Sequence, residues 1–376
     1  MFADDLAFPT NLAFAPDGRL FFTERDTGNV RVIKDGKLLV RPFVSVPSTP
    51  GGETGLLGIA LHPEFDAQPW VYLSYSSAET GRNVLARVRA EGNIGGRTET
   101  IFDGLPVSTY HNGGDLAFGP DGMLYATVGE SHDPSLAQDP ASPGGKVLRL
   151  TPEGDPAPGN PFGPGNPAWS MGHRNSFGIC FDPLTMFLWE TENGPSGHDE
   201  VNLIRPGGNY GWPEVSSPGG APGFIDPTLD FPETIVPTGC AVYPFRWLGA
   251  RGTGALFFGD FTGTLHRAEL SLHGAVVERE TSHLTGLPGI TDVVVGPDER
   301  LYLATERSIL RLPSELVEPS PKPMPTAGPT SPTPPNPLPT VPSGGGGGGT
   351  ANWIPWALAG AILVGGALLL RRRPPS

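Results

Sequence analysis

Short apolar runs alternate with one recurring polar turn along most of the chain. The first copy spans Leu12 to Glu24 around Pro16-Asp17-Gly18. The second runs from Ile59 through Pro63 and Asp66 into Val71–Tyr75. The third spans Leu116 to Val128 around Pro120-Asp121-Gly122, and the fourth Ile179 to Glu190 around Asp182-Pro183. The last spans Val293 to Thr305 around Pro297-Asp298, and a degenerate copy lies at Ala255–Arg267. Each copy predicts a hairpin. Proline cannot donate to the ladder and ends one strand. Asp-Gly then suits the positive φ of a tight turn, and alternating apolar residues open the next strand. The copies start at 12, 59, 116, 179, about 255 and 293, and intervals of roughly 40–75 residues fit one four-stranded sheet per copy. The predicted fold is an all-β, six-bladed β-propeller over residues 1–312. A β-sandwich is the alternative, although it has no need of the copies.

Composition divides the chain in two. It holds 53 Gly and 45 Pro in 376 residues. In the body these residues punctuate apolar runs, without the period of collagen and too often for a coiled coil. Beyond residue 312 they form blocks. Residues 313–350 are Pro/Thr/Ser-rich and end in Gly344–Gly349, which predicts an extended linker with a flexible joint. Residues 351–371 follow as a predicted transmembrane anchor, and 372–376 as a short basic tail. The 18 residues Trp353–Leu370 carry no charge, have tryptophans at one end, and run into Arg371-Arg372-Arg373. The arginines predict a cytoplasmic C-terminus and a propeller outside the cell membrane. That orientation needs an export signal, expected upstream of Met1 or already removed.

Charge narrows the partners. The net charge is −14, and the two net positive charges of the tail leave the body at −16. Such a body is unsuited to nucleic acid. Cys180 and Cys240 do not make a disulfide scaffold. Two buried thiols are the expected reading, and one disulfide is the alternative if the body is exported.

Three loop clusters carry candidate chemistry. Tyr110-His111-Asn112-Gly113-Gly114-Asp115 precedes the third copy, and a histidine at a strand lip suits a general base. The bland alternative is a loop histidine bonded to backbone. Gly172-His173-Arg174-Asn175 holds the matching place before the fourth copy. Its Arg174 suits a carboxylate or oxyanion, or else an inter-blade salt bridge. Glu192-Asn193-Gly194-Pro195 with Asp199-Glu200, closed by Gly207-Gly208-Asn209-Tyr210-Gly211-Trp212, offers hard oxygen ligands of the kind Ca²⁺ takes. Its alternative is a solvated acidic loop. No zinc spacing, G-x-S-x-G motif or phosphate loop is present.

These clusters, with Gly55-Leu56-Leu57-Gly58 running to Phe65, make residues 6–312 resemble the soluble glucose/sorbosone dehydrogenases. That family comprises six-bladed propellers that use pyrroloquinoline quinone (PQQ) and Ca²⁺. The resemblance implies that His111 is the base toward the sugar's C1 hydroxyl. It implies that Arg174 and Asn175 contact PQQ near its reactive carbonyl. It assigns the Gly194 and Pro195 carbonyls to the cofactor's Ca²⁺, and Asp199, Glu200 and the Tyr210 carbonyl to a second, structural calcium. Four positions depart from the family. Thr262 stands for a lysine, and Gly289-Ile290-Thr291 for a stretch with two arginines. Ser131 and Glu53 each stand for a glutamine. A tricarboxylate site loses three cations this way.

The function expected is a membrane-anchored, PQQ- and Ca²⁺-dependent aldose dehydrogenase, transferring hydride from sugar C1 to the quinone and passing electrons to an unidentified acceptor. The alternative is a non-catalytic surface propeller that binds a glycan or protein. A lactonase-like calcium hydrolase is a third reading, which the motif order does not suit.

Overall fold

The structure, a computed structural model, describes residues 1–243, 254–271 and 275–313. Six antiparallel sheets form from consecutive stretches of chain. Their innermost strands are Pro9–Phe14, Leu56–Leu61, Gly113–Phe118, Ser176–Phe181, Pro237–Tyr243 and Ile290–Val295. Each packs against the next, and the sixth against the first, so the sheets close as a six-bladed propeller. The sixth sheet has three strands of its own. The N-terminal residues complete it, because Phe2 and Ala3 donate to the Ile309 carbonyl and Ile309 donates back to Ala3.

Burial explains why the runs read as they do. The second strands Leu20–Glu24, Leu124–Val128, Leu188–Glu192 and Leu301–Thr305 are buried at every position, since a blade has a neighbour on each face. The core is therefore six apolar layers between blades. Phe21 and Val32 meet Val71 and Leu73 between blades 1 and 2. Trp189 and Val201 meet Leu256 and Phe258 between blades 4 and 5. Leu20 and Phe22 meet Tyr302 and Ala304 between blades 1 and 6. Each such large side chain contributes about 1.5–3 kcal/mol by leaving water.

Two expectations are corrected. The fifth copy does not begin near 255: blade 5 starts at Pro237–Tyr243, and Ala255–Asp260 and Leu265–Leu270 are its second and third strands. Its first two strands are joined through residues 244–253, which contain no Pro-Asp-Gly turn, so the sequence signal fell one hairpin late. Cys180 and Cys240 are not two thiols but a disulfide, joining the inner strands of blades 4 and 5. The expected linker beyond Pro313, the anchor and the basic tail lie outside the described residues. Among the described residues, no helix is long and apolar enough to cross a membrane.

One irregularity recurs in all six blades. The register between first and second strands slips near the start of each inner strand, as at Pro9/Leu12, Gly113/Leu116 and Ile290/Asp292. Such bulges re-aim side chains and free backbone groups. Three polar side chains exploit them near the axis. Asn11 Oδ1 accepts from Ile59 N at 2.8 Å, Asp115 Oδ2 from Ile179 N at 2.7 Å, and Asp292 Oδ2 from Leu12 N at 2.8 Å. Each bond staples one blade to the next. Asn11 Nδ2 also donates to both carboxylates. Gly239 makes room for this, since a Cβ there would lie 2.0 Å from Asp292 Oδ1.

Candidate active site

The segments entering the first strands and the turns joining second to third strands gather at one end of the ring. They surround an axial cavity of about 270 Å³. Phe8, Leu57, Phe177, Val236 and Phe261 give it apolar walls, while Thr10, Asn11, Asp115, Thr238 and Thr291 supply polar groups. The ionisable side chains among the described lining residues are Arg25, Glu53 and Asp115, with Tyr110 at the rim. Burial pushes the Asp115 carboxyl up to about 6, despite its backbone bonds.

His111 stands on a strained turn with φ +60°, followed by Gly113 at +64°. Asn112 holds that turn, accepting from Ser108 N and donating to the Ser108 carbonyl. The His111 Nδ1 lies 2.5 Å from Glu130 Oε1, and the Glu130 side chain is 2% exposed. A carboxylate there favours the tautomer with the proton on Nδ1 and the lone pair on Nε2. No described protein group bonds to Nε2. Ser131 contributes to the same turn from below, its N–H and hydroxyl both donating to the His111 carbonyl.

Glu53 connects this turn to blade 4. Its Oε2 accepts from His111 N at 2.6 Å and from Asn175 Nδ2 at 3.2 Å. Burial raises its pKa against those bonds. Asn175 also accepts from Gly113 N at 3.3 Å, so blades 2, 3 and 4 interlock at this corner. Arg174 lies alongside, its carbonyl accepting from Glu130 N at 2.9 Å. Its Nη1 donates to the carbonyls of Asn193 at 2.9 Å and Gly194 at 2.8 Å, and its guanidinium lies over Trp212. Burial lowers its pKa, while Glu130, Glu192, Glu53 and Asp199 pull it back up.

The predicted calcium ligands divide. Gly194, Pro195, Glu200 and Tyr210 line one small pocket beside Arg174. Asp199 points elsewhere: its carboxylate accepts from Gly194 N, Ile235 N and Val236 N at 2.7–2.8 Å, bracing the loop. Glu200 accepts from Asn202 Nδ2, and burial together with Glu192 pushes it up to about 9. The Tyr210 hydroxyl donates to the Leu203 carbonyl and accepts from Arg205 N, which shapes the loop that presents its own carbonyl. Thr262 is outside the lining of the axial cavity and donates to Asp260 within its own turn; its neighbour Phe261 lines the wall. Ser131, His111, Arg174 and Asn175 are likewise outside that lining, although Tyr110 and Gly113, on either side of the His111 turn, belong to it.

Sequence reasoning missed two parts of this site. Glu130 escaped because its pairing with His111 forms only when two turns of blade 3 meet. His173, Glu190 and Glu192 form a buried cluster whose ligand atoms lie within 4.8 Å of one another. Burial alone would lower the His173 pKa, but the two glutamates hold it up at about 10. Its ring is bonded at both nitrogens, to Glu192 and Ser170, so the imidazolium itself is the cation there. Glu190 and Glu192, two carboxylates in a fully buried strand, were the available signal.

Comparisons with known proteins agree with this architecture. The family described as Glucose / Sorbosone dehydrogenase matches residues 6–312. The aldose sugar dehydrogenase YliI of Escherichia coli is 32% identical over 344 residues, covering 85% of this chain and 91% of that one. The quinoprotein glucose dehydrogenase B of Acinetobacter calcoaceticus is 32% identical over 242 residues, 55% of this chain and 50% of that one. The solved structure of the PQQ-bound aldose sugar dehydrogenase from Streptomyces coelicolor matches with a TM-score of 0.75 at 36% identity, over 82% of this chain and 95% of that one. The chain belongs to the glucose/sorbosone dehydrogenase family, and by that kinship it is an oxidoreductase of the sugar dehydrogenase type.

Proposed function

We propose that the propeller is a PQQ- and Ca²⁺-dependent aldose dehydrogenase held on the outer side of a membrane. The observation that carries the reading is the His111–Glu130 pair beside the axial cavity. With its proton on Nδ1, the ring leaves the Nε2 lone pair for a substrate hydroxyl, and Glu130 would stabilise the imidazolium formed when that proton arrives. Glu53 holds the backbone of the base and Asn175 in one register.

The cavity residues fit a planar aromatic cofactor. Phe8, Phe177 and Phe261 offer ring faces, and threonine hydroxyls offer polar contacts. Asn175 and Arg174 would hold PQQ on the blade 4 side, and bound PQQ supplies the two-electron acceptor for the hydride leaving sugar C1. The Gly194 and Pro195 carbonyls are hard oxygens, as Ca²⁺ requires; they accept from Arg174 and Ser196, donors an ion would have to displace, and the ion would supply Lewis acidity at the cofactor. Glu200 and the Tyr210 carbonyl would hold a second ion. A carboxyl pushed up to about 9 by burial and a neighbouring carboxylate gains most from an adjacent cation.

The Cys180–Cys240 bond supports an oxidising, extracytoplasmic setting. The Pro/Gly linker and the apolar segment that follows support a tether. Protease shaving of intact cells checks the placement, and a protected propeller would contradict it.

The direct test is reconstitution. Full-length protein is titrated with PQQ in the presence of Ca²⁺ and then assayed by dye-linked oxidation of aldoses. The proposal expects saturable PQQ binding and sugar-dependent dye reduction. A propeller that binds no PQQ at micromolar concentration sinks the reading and favours a non-catalytic binding role.

A further inference from the structure

A tricarboxylate needs fixed cations, yet blade 5 presents Thr262 and blade 6 presents Gly289-Ile290-Thr291 where the family pattern has them. Blade 1 supplies one instead. Arg25 is the one Lys or Arg among the described residues that line the axial cavity, where the other charged groups are carboxylates. We propose that Arg25 is the anion anchor of this cavity and takes a carboxylate of the bound planar cofactor from the blade 1 side.

The guanidinium is positioned in advance. Its Nη1 donates to the Gly52 carbonyl at 3.0 Å, and its centre lies 3.5 Å from the Phe8 ring centroid. Its Nε donates to Asp26 Oδ1 at 2.8 Å. Nη2 has no partner among the described residues and is left for a ligand. Asp26 offsets only part of that charge, because its side chain is 49% exposed and the pair is screened by solvent.

Local backbone serves this placement. Arg25 N donates to the Phe8 carbonyl at 2.9 Å, and Phe8 adopts φ +58°, a strained value for an aromatic residue. That conformation sets the Phe8 ring under the guanidinium and against Phe261, 6.2 Å away between centroids. Gly55, at φ +132°, leaves the space that the arginine stem occupies. A Cβ there would lie 2.7 Å from Arg25 Cγ and 2.6 Å from the Arg25 carbonyl oxygen. One continuous wall thus runs from the cation of blade 1 across Phe8 to Phe261 of blade 5. It pairs a flat apolar face with a charge at its edge, as a planar aromatic carboxylate does. A lysine has no planar fork to stack on Phe8 while bonding Gly52 and a carboxylate together.

The inference rests on the PQQ reading, and its test keeps the two apart. Full-length wild type, Arg25→Met and Arg25→Lys are titrated in saturating Ca²⁺ with PQQ and, separately, with its trimethyl ester, following tryptophan fluorescence. Arg25→Met is expected to weaken PQQ binding on the order of 10- to 100-fold, the size of one charge-assisted hydrogen bond, with Arg25→Lys between. The wild-type preference for PQQ over the ester should fall by a similar factor, a change that mere loss of packing would not produce. Wild type that binds PQQ while Arg25→Met binds it equally well, with the ester preference unchanged, overturns the anchor alone. Wild type that binds no PQQ overturns the cofactor reading and the anchor with it.

Discussion

The two sides of the cavity mouth are built on opposite principles. On the side of blades 2 to 4, charged and amide groups interlock: Glu53 joins His111 to Asn175, Glu130 holds the imidazole, and Arg174 bonds the Asn193 and Gly194 carbonyls. On the side of blades 5 and 6 the lining is Val236, Thr238, Phe261 and Thr291, without a charge. The first side can move a proton because burial makes each of its charges depend on a neighbour. The second can only shape and exclude water. An anion must therefore be met from elsewhere on the rim, and Arg25 lies across from Arg174 in blade order.

The two sides are joined covalently. The Cys180–Cys240 bond links the inner strand of the charged side to that of the neutral one across 60 residues. Chain-entropy reasoning gives such a loop about 4 kcal/mol. Replacing both cysteines by alanine should lower the denaturation midpoint in urea by a corresponding amount, and an unchanged midpoint would show that packing alone joins the two blades.

Within the charged side, Glu130→Gln should cut kcat about 100-fold, some 2.7 kcal/mol, by removing the charge that stabilises the imidazolium. PQQ binding should stay within a few-fold of wild type. A variant with normal kcat would reduce Glu130 to a loop brace.

Glu53→Gln tests whether that side repels the cofactor. It replaces a cavity carboxylate by the amide that the family pattern carries. PQQ should bind about fivefold tighter, near 1 kcal/mol, at pH 8. Burial raises the Glu53 pKa, so the wild-type group gains a proton as pH falls and the advantage should shrink by pH 5. A gain that grows toward acid pH would contradict this.

The last test lies at the axis, beneath both sides. Burial raises Asp115 to about 6, and burial with the Asp115 charge raises Asp292. For raised carboxyls the stabilising contribution is complete below the unfolded value near 4 and is lost as pH rises through the folded value. Asp292→Asn should therefore flatten the decline in thermal stability between pH 4.5 and 7.5. A parallel curve would show that the Asp292 carboxyl does not titrate in that range.

Much of this was legible in the chain. Turns built on Pro with Asp mark hairpins locally, so blades 1 to 4 and 6 announced themselves. Blade 5 did not, because its first connection lacks that turn. The loops bearing His111, Arg174 and Gly194 stood out by residue type. Their partners did not, because the contacts are non-local: Glu53 meets His111 across 58 positions and Asn175 across 122. Arg25 follows a buried strand and looks like any surface arginine until Gly52 and Phe8 are folded around it. Asp199 shows the converse: its residue type suggested a ligand, and three backbone N–H groups occupy its oxygens.

The central claim is that His111 takes the substrate's proton beside a cavity that holds the cofactor. Its most direct test is a paired measurement on His111→Ala: PQQ titration and dye-linked aldose oxidation on the same Ca²⁺-loaded sample. PQQ affinity should stay within about threefold of wild type, with turnover reduced on the order of 10³-fold. A variant that binds PQQ normally and still oxidises aldoses at the wild-type rate would contradict it.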